Sequence, residues 1–322
     1  MKKIVIFGGG SGLSQLLKGL KLFPIDLTAV VSVSDNGRST GLLRKDFNIP
    51  AVGDITKVLL AMSDVDDDVR QLLSYRFNSS SSIENHSIKN LMLTALLDIK
   101  GNFKKSLPVL EKIINVKGNV LPLTEASVDL IGIASDGSEI VGQAEITNSN
   151  KKIVDVRYSN KFTVNSDVIK AVRDADLIIF SAGSLFTSIF PHIIVPKLAE
   201  EIRNSKAKTM YICNLVTQPG ETNGFKVSDH IKMLQKHLGP DGIDIVMANN
   251  GLLSKEIAKK YASKEQKDPV ILDEGKLNKM NIEIIKDNLV VIEDNLIRHD
   301  SLKVAYLIFS YLMNEEKVSK ID

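Results

Sequence analysis

Residues 4–20 read IVIFGGGSGLSQLLKGL. The apolar run Ile4–Phe7 does not alternate, which fits a strand buried on both faces of a parallel sheet. Gly8, Gly9, Gly10 and Gly12 follow as nearly bare backbone, with Ser11 the one polar side chain among them. Helical spacing then runs from Leu13 to Leu22. Strand, glycine loop and helix form the repeating unit of doubly wound α/β sheets, whose ligands sit outside the carboxyl ends of the strands.

A glycine loop leading into a helix exposes backbone N–H groups beside the positive end of the helix dipole, and Ser11 adds a hydroxyl. That is a phosphate cradle without side-chain charge. Each N–H bond to an ionised oxygen contributes about 1.5–3 kcal/mol. Four or five such bonds could supply the roughly 8 kcal/mol of micromolar binding. The standard motifs are incomplete. Leu13 stands where the dinucleotide fingerprint has its third glycine, and no Lys-Ser/Thr pair ends a Walker A loop. A plain tight turn remains the alternative reading.

The same rhythm continues along the chain. Leu27–Val33 reads as a strand, and Asp54–Met62, Val69–Phe77, Ile88–Asp98 and Phe103–Ile114 have helical spacing. Asp54 is placed to cap the first of these helices. From about Val120 to Val164 the pattern changes. VDLIGIASDGSEIVGQAEI reads as two strands around a Ser-Asp-Gly-Ser turn, and KKIVDVRY as a third. The helix–strand alternation then resumes. Asn165 or Ser166 caps a helix through Arg173, and strands are expected at Asp176–Ser181, Thr209–Cys213, Ile243–Ala248 and Leu289–Ile292. Helices are expected at Pro196–Arg203, Val227–His237 and Ser301–Met313. The expected organisation is a mostly parallel α/β sheet in two parts, residues 1–118 and 165–322, around a β-hairpin-rich insertion at 119–164.

Composition narrows the function classes. Lys plus Arg number 41 against 39 Asp plus Glu, so no global field draws the chain to nucleic acid or an anionic membrane. Aromatics are 5% and tryptophan is absent, which argues against a base-stacking surface. One cysteine, Cys213, excludes an internal disulfide, and no secretory or membrane-spanning segment is evident, so the expected compartment is the cytoplasm.

Further polar loops follow the strands. SVSDNGRSTG places Asp35 about where a ribose-binding acid sits, with Asn36, Arg38 and Ser39 suited to a second phosphate; a solvated turn is the alternative. FSAGSLFTSIFP offers Gly183, Ser184, Leu185, Thr187 and Ser188. NLVTQPGETNGF offers Asn214, Thr217 and Gln218, and ANNG offers Asn249 and Asn250. If the strands are neighbours, these loops face one crevice and can grip a diphosphate from both ends. Lys57, His86, Asn90 and Arg298 are further candidates, with helix capping equally open for His86 and Asn90. Cys213 reads as a core thiol. Asp64, Asp66 and Asp68 lack the glycine and glutamate of a calcium loop. Neither His86 nor His299 has a second histidine at zinc-ligand spacing.

In this order, GGGSGLS, VSVSDNGRSTGLLR, VGDITKVLLA, HSIKNLMLTAL, AGSLFTSIFP and NLVTQPGETNGF closely resemble the gluconeogenesis-factor family (YvcK), related to 2-phospho-L-lactate transferase (CofD) of deazaflavin cofactor synthesis. The resemblance covers residue 3 to about 300. It implies a Rossmann-like, CofD-like fold and a cytoplasmic bacterial protein with a role in cell shape and wall metabolism during gluconeogenic growth. It also implies a ligand of the UDP-GlcNAc type and a regulatory role on protein partners; a homo-oligomer stays open. No catalytic residue and no resident metal come with it. An NAD-like dinucleotide also fits the glycine loop, although no acid–base residue partners a substrate hydroxyl. The alternative is a CofD-like phospholactyl transfer using Mg²⁺ with Asp35 and Asp54. The chain departs from the family pattern where Asn36 replaces the second of two acids, and where Arg38, Lys57 and Lys89 add positive charge. These departures favour a site that neutralises diphosphate with side chains rather than metal. Ser301, near Arg298, is a candidate for phosphorylation.

Overall fold

Ile4, Val5, Ile6 and Phe7 are at most 2% exposed, and they split by parity. Ile4 and Ile6 join the apolar cluster on one face of the sheet, and Val5 and Phe7 the cluster on the other. That is what a central strand covered by helices on both sides requires. The computed structural model describes the chain except residues 79, 253–260, 262, 264, 294–295 and 319–322 and the side chains of 38 and 315–318.

The strand β1 (Lys3–Gly8) pairs with β2 (Asp26–Val31) on one side and with β7 (Leu177–Phe180) on the other. Beyond β2 lies β3 (Asn119–Pro122). Beyond β7 lie β8 (Lys208–Ile212), β9 (Ile245–Asn249) and β10 (Glu283–Asp287). The order is β10-β9-β8-β7-β1-β2-β3, and every pairing is parallel. The order runs outward in opposite directions from the β1/β7 seam, which makes that seam the topological switch point where the loops after β1 and β7 diverge and leave a crevice.

The expected insertion is a three-stranded antiparallel sheet of order β5-β4-β6, formed by β4 (Leu130–Ala134), β5 (Glu139–Val141) and β6 (Ile153–Tyr158). Its boundary differs from expectation, because Asn119–Pro122 extends the large sheet beside β2. After β5 the chain turns into a short helix, Gln143–Thr147, instead of continuing as strand.

Other differences lie where apolar patterning is thin. Helix α1 spans Gly10–Leu20, so the glycine stretch is itself its first turn. Arg38–Phe47, read as a loop, is a helix. Val290–Glu293 belongs to a separate hairpin with Leu296–His299, and the edge strand is Glu283–Asp287. The helix Gly53–Met62 starts without a side-chain cap, after Val52, so Asp54 does not cap it. Asn165 does cap its helix, accepting from the Asp167 N–H at 3.0 Å. Asp66 caps Asp67–Ser74 through the Val69 N–H at 2.9 Å, which gives that acidic run a structural use. Among the described residues no helix is long and apolar enough to cross a membrane.

Candidate functional site

The first turn of α1 is capped by Gly9 with no side-chain hydrogen bond and contains no acid. Its N–H groups have no intrahelical acceptor, so its positive dipole end faces outward. Gly10 has φ +57°, a left-handed geometry that a Cβ disfavours. A Cβ at Gly12 would run into the carbonyl oxygen of Ala182. The glycine loop and the loop after β7 are therefore in direct contact, and Gly9–Gly12 together with Gly183, Ser184, Thr187 and Ser188 open onto one cleft of about 540 Å³.

That cleft gathers most of the expected residues. Gly9, Gly10, Ser11 and Gly12 line it from the glycine loop, and Gly183, Ser184, Thr187 and Ser188 from the loop after β7. Asp35, Asp54 and Lys57 line it beside the glycine loop, and Asn214, Thr217, Gln218 and Arg298 also line it. Asn214 positions its neighbour: its amide accepts from the Gly183 N–H at 2.8 Å and donates to the Gly183 carbonyl at 2.7 Å. Thr217 is spent on the segment beside it, accepting from the Asp268 N–H at 2.9 Å.

Other expected residues serve the framework instead. Leu13 and Leu185 are fully buried core. Gly8 ends β1, and its carbonyl accepts from His192 Nε2 at 3.1 Å. His86 and Asn90 do not share a face of the cleft: His86 precedes the Ile88–Lys100 helix and bonds Ser39 Oγ at 2.8 Å, while Asn90 accepts from Thr56 Oγ1 at 2.6 Å. Asn249 closes its own turn, donating to the Gly251 carbonyl at 2.8 Å and accepting from the Leu289 N–H at 2.9 Å. The Arg38 side chain lies outside the described residues. Cys213 is buried, and burial pushes its thiol pKa well up.

Asn36 also turns away from the cleft, toward the insertion. Its Oδ1 accepts from the Ala144 N–H at 2.9 Å and its Nδ2 donates to Glu145 Oε2 at 2.6 Å. An ionised carboxylate cannot donate, so an amide suits this position where an aspartate does not.

The electrostatics centre on Asp54. Gly10 N–H donates to it, and Lys57 Nζ lies 3.6 Å away. Burial first, and then the neighbouring Asp35, raise its pKa to about 6 against the pull of Lys57. A carboxylate of the chain itself thus occupies part of the helix-end anion site. His299, also in the lining, donates from Nε2 to the Cys213 carbonyl at 3.1 Å, and burial lowers its pKa to about 4, so it stands neutral.

Several lining residues went unread in the sequence. Gln15 was legible, being one helical turn beyond Ser11. Gln143 arrives by the folding-over of the insertion and Lys267 from a distant segment, and neither has a local signal. His192 and Glu221, which support the two loops from behind, look like ordinary core and loop residues in the sequence.

Together these features define a Rossmann-like α/β protein whose cleft lies at the switch point of a parallel sheet. The family model described as 2-phospho-L-lactate transferase CofD matches residues 4–290. The gluconeogenesis factor of Bacillus subtilis is 42% identical over 311 residues, covering 96% of this chain and 98% of the relative. That of Halalkalibacterium halodurans is 40% identical over 305 residues, 94% of each. A crystal structure of a UPF0052-family protein (BH3568) from Bacillus halodurans superposes with a TM-score of 0.92 at 39% identity, covering 96% of this chain and 99% of that one. The chain belongs to the CofD family and, within it, to the gluconeogenesis factors.

Proposed function

We propose that the cleft binds the diphosphate of a nucleotide sugar of the UDP-GlcNAc type. On this reading the protein is a cytoplasmic regulator that couples wall-precursor supply to cell shape and wall metabolism during gluconeogenic growth. The observation that carries it is the contact between Gly12 and Ala182, which brings two hydroxyl-bearing glycine loops to one cleft at the β1/β7 seam. Backbone N–H groups of α1 and the hydroxyls of Ser11, Thr187 and Ser188 are donors for phosphoryl oxygens, and Lys57, Lys267 and Arg298 supply counter-charge. Isothermal titration with UDP-GlcNAc, UDP-glucose and NAD tests this. The expected result is binding of a UDP-sugar with micromolar affinity; no heat and no thermal shift with any of the three overturns it.

A second reading is favoured by the convergence of Asp35 and Asp54 on the same cleft. Mg²⁺ characteristically takes one or two carboxylates plus substrate phosphate oxygens, and these two acids fit that donor set. They would hold the ion in a CofD-like phospholactyl transfer, where it would offset diphosphate charge. Asp54→Asn separates the readings. Under the first, removing a carboxylate from beside the Gly10 N–H tightens metal-free binding of UDP-GlcNAc several-fold at pH 8. Under the second, it abolishes Mg²⁺-dependent transfer from a guanosine-diphosphate donor to a deazaflavin, and turnover by the wild-type chain that disappears in this variant overturns the regulatory reading.

A further inference from the structure

Glu221 stands behind the cleft. It is 5% exposed, and its carboxylate oxygens lie 2.8 and 2.6 Å from Ser184 Oγ. The Phe186 N–H also donates to it. Among the described residues no cation is paired with it. Ser184 lines the cleft, and its Oγ also accepts from the Thr187 N–H at 2.9 Å.

A hydroxyl has one hydrogen to give and two lone pairs to receive. When Glu221 is ionised, the Ser184 hydrogen is committed to it, and the cleft is backed by a buried negative charge. When Glu221 is protonated, its own O–H donates to Ser184 Oγ. The serine hydrogen is then free to turn into the cleft, and the charge is gone. A phosphoryl ligand favours the second state twice, by gaining a donor and by losing a like charge. Burial already holds the Glu221 pKa up at about 7, so little is needed to tip it.

We propose that Glu221 is a positioning residue of the cleft that takes up one proton when a phosphoryl-bearing anion binds, releasing the Ser184 hydroxyl to donate to that anion. The inference rests on the diphosphate reading above and adds a proton to its stoichiometry. The groups that face Glu221 from the 182–188 loop, Ser184 Oγ and the Phe186 amide, do not titrate in the physiological range. From the insertion, Lys151 has its backbone beside Gly220, but its ammonium is held by Asp136 and Ser138 at 2.9 and 2.7 Å. Asp35, Asp54, Lys57, Arg298 and His299 also line the cleft. Lys267 lies beside Thr217, next to Asp268, and its ammonium is 2.8 Å from Glu265. Of the two acids lining the cleft, Asp54 titrates about a unit lower, near 6.

The test is calorimetry of the full chain with UDP-GlcNAc, whose diphosphate diester does not titrate near neutrality. Titrations run at pH 6–9 in two buffers of different ionisation enthalpy. Uptake is expected to approach one proton per ligand above pH 7, with affinity falling towards tenfold per pH unit there. Glu221→Gln, whose amide donates to Ser184 as the protonated acid does, is expected to bind with little uptake and nearly level affinity above pH 7, Asp54 contributing uptake only around its own lower range. Should that variant not fold, the wild-type infrared difference spectrum on adding UDP-GlcNAc at pH 8 decides, a new protonated-carboxyl band being expected. Binding with no proton uptake, or with uptake unchanged in Glu221→Gln, overturns this inference and leaves the diphosphate reading standing. No binding at any pH overturns both.

Discussion

Asn36 carries two bonds that no ionised acid can make together. Converting it to aspartate, the residue expected from the family pattern, sets a second carboxylate where its amide now lies 2.6 Å from Glu145 Oε2. A lost charged hydrogen bond and a like-charge contact together cost about 2–3 kcal/mol. Asn36→Asp is therefore expected to lower stability by that amount in urea denaturation. Glu145→Gln in the same chain should recover most of it, because the glutamine amide can donate to the new carboxylate; a double-mutant cycle reads that coupling directly. Equal stability of Asn36→Asp and wild type would show that the bond contributes nothing. The position was legible as polar and near the site, but its partner was not. Glu145 lies more than a hundred residues away, on an insertion whose docking no local pattern encodes. Asn249 has the same history: an amide at a strand end reads as a ligand donor until its partners, the Gly251 carbonyl it donates to and the Leu289 N–H it accepts from, are seen to be its own turn and the next segment.

At the scale of elements, what could be read was what periodicity reports. Buried parallel strands stand out as apolar runs between glycine loops, so β1, β7, β8 and β9 were clear. The hairpin was clear from its turn residues. The helix Arg38–Phe47 was missed because it is polar almost throughout, with Leu43 its one fully buried aliphatic residue. The edge strand Glu283–Asp287 was missed for a similar reason, its core face being only half-buried. The glycine stretch raised a sharper question, whether bare backbone there serves a ligand or packing, and the answer differs by position. Gly9 and Gly10 face the cleft, whereas Gly12 is where α1 meets the Ala182 carbonyl. Gly12→Ala forces α1 and the loop after β7 apart. Overpacking of this kind costs about 1–3 kcal/mol. The expected outcome is a lower melting temperature together with weaker UDP-GlcNAc binding, since both walls of the cleft move. A variant with wild-type stability and binding would mean that the two loops separate freely.

Across the whole molecule, the buried titratable groups behind the cleft pull stability in opposite directions with pH. His192 is fully buried, and its Nε2 holds the Gly8 carbonyl; burial lowers its pKa from 6.5 to about 4. An unfolded chain takes up that proton first as pH falls, so the stability His192 contributes is intact above 6.5 and drains away towards 4. The full difference is about 3 kcal/mol. Glu221 and Asp54 behave the other way. Burial raises the first from 4.5 to about 7 and the second from 3.8 to about 6. Their folded forms hold protons that the unfolded chain has released, so their contribution is complete below about pH 4 and lost as pH climbs to 6–7. His299, which burial lowers likewise to about 4, adds a second rising slope. Between about pH 4.5 and 6 the two rising and two falling slopes largely cancel, so these four groups together should leave the stability profile nearly flat there. Single substitutions unmask each slope whatever constant packing cost they carry. His192→Gln, which keeps a donor for the Gly8 carbonyl, should gain on the wild type by about 3 kcal/mol as pH falls from 7 to 4. Glu221→Gln should gain on it by a similar amount as pH rises from 4.5 to 7. Chemical denaturation at half-unit pH intervals measures both. Variant curves running parallel to the wild type would mean that neither group changes its protonation between folded and unfolded chains, and the neutral support assigned to both loops would have to be abandoned.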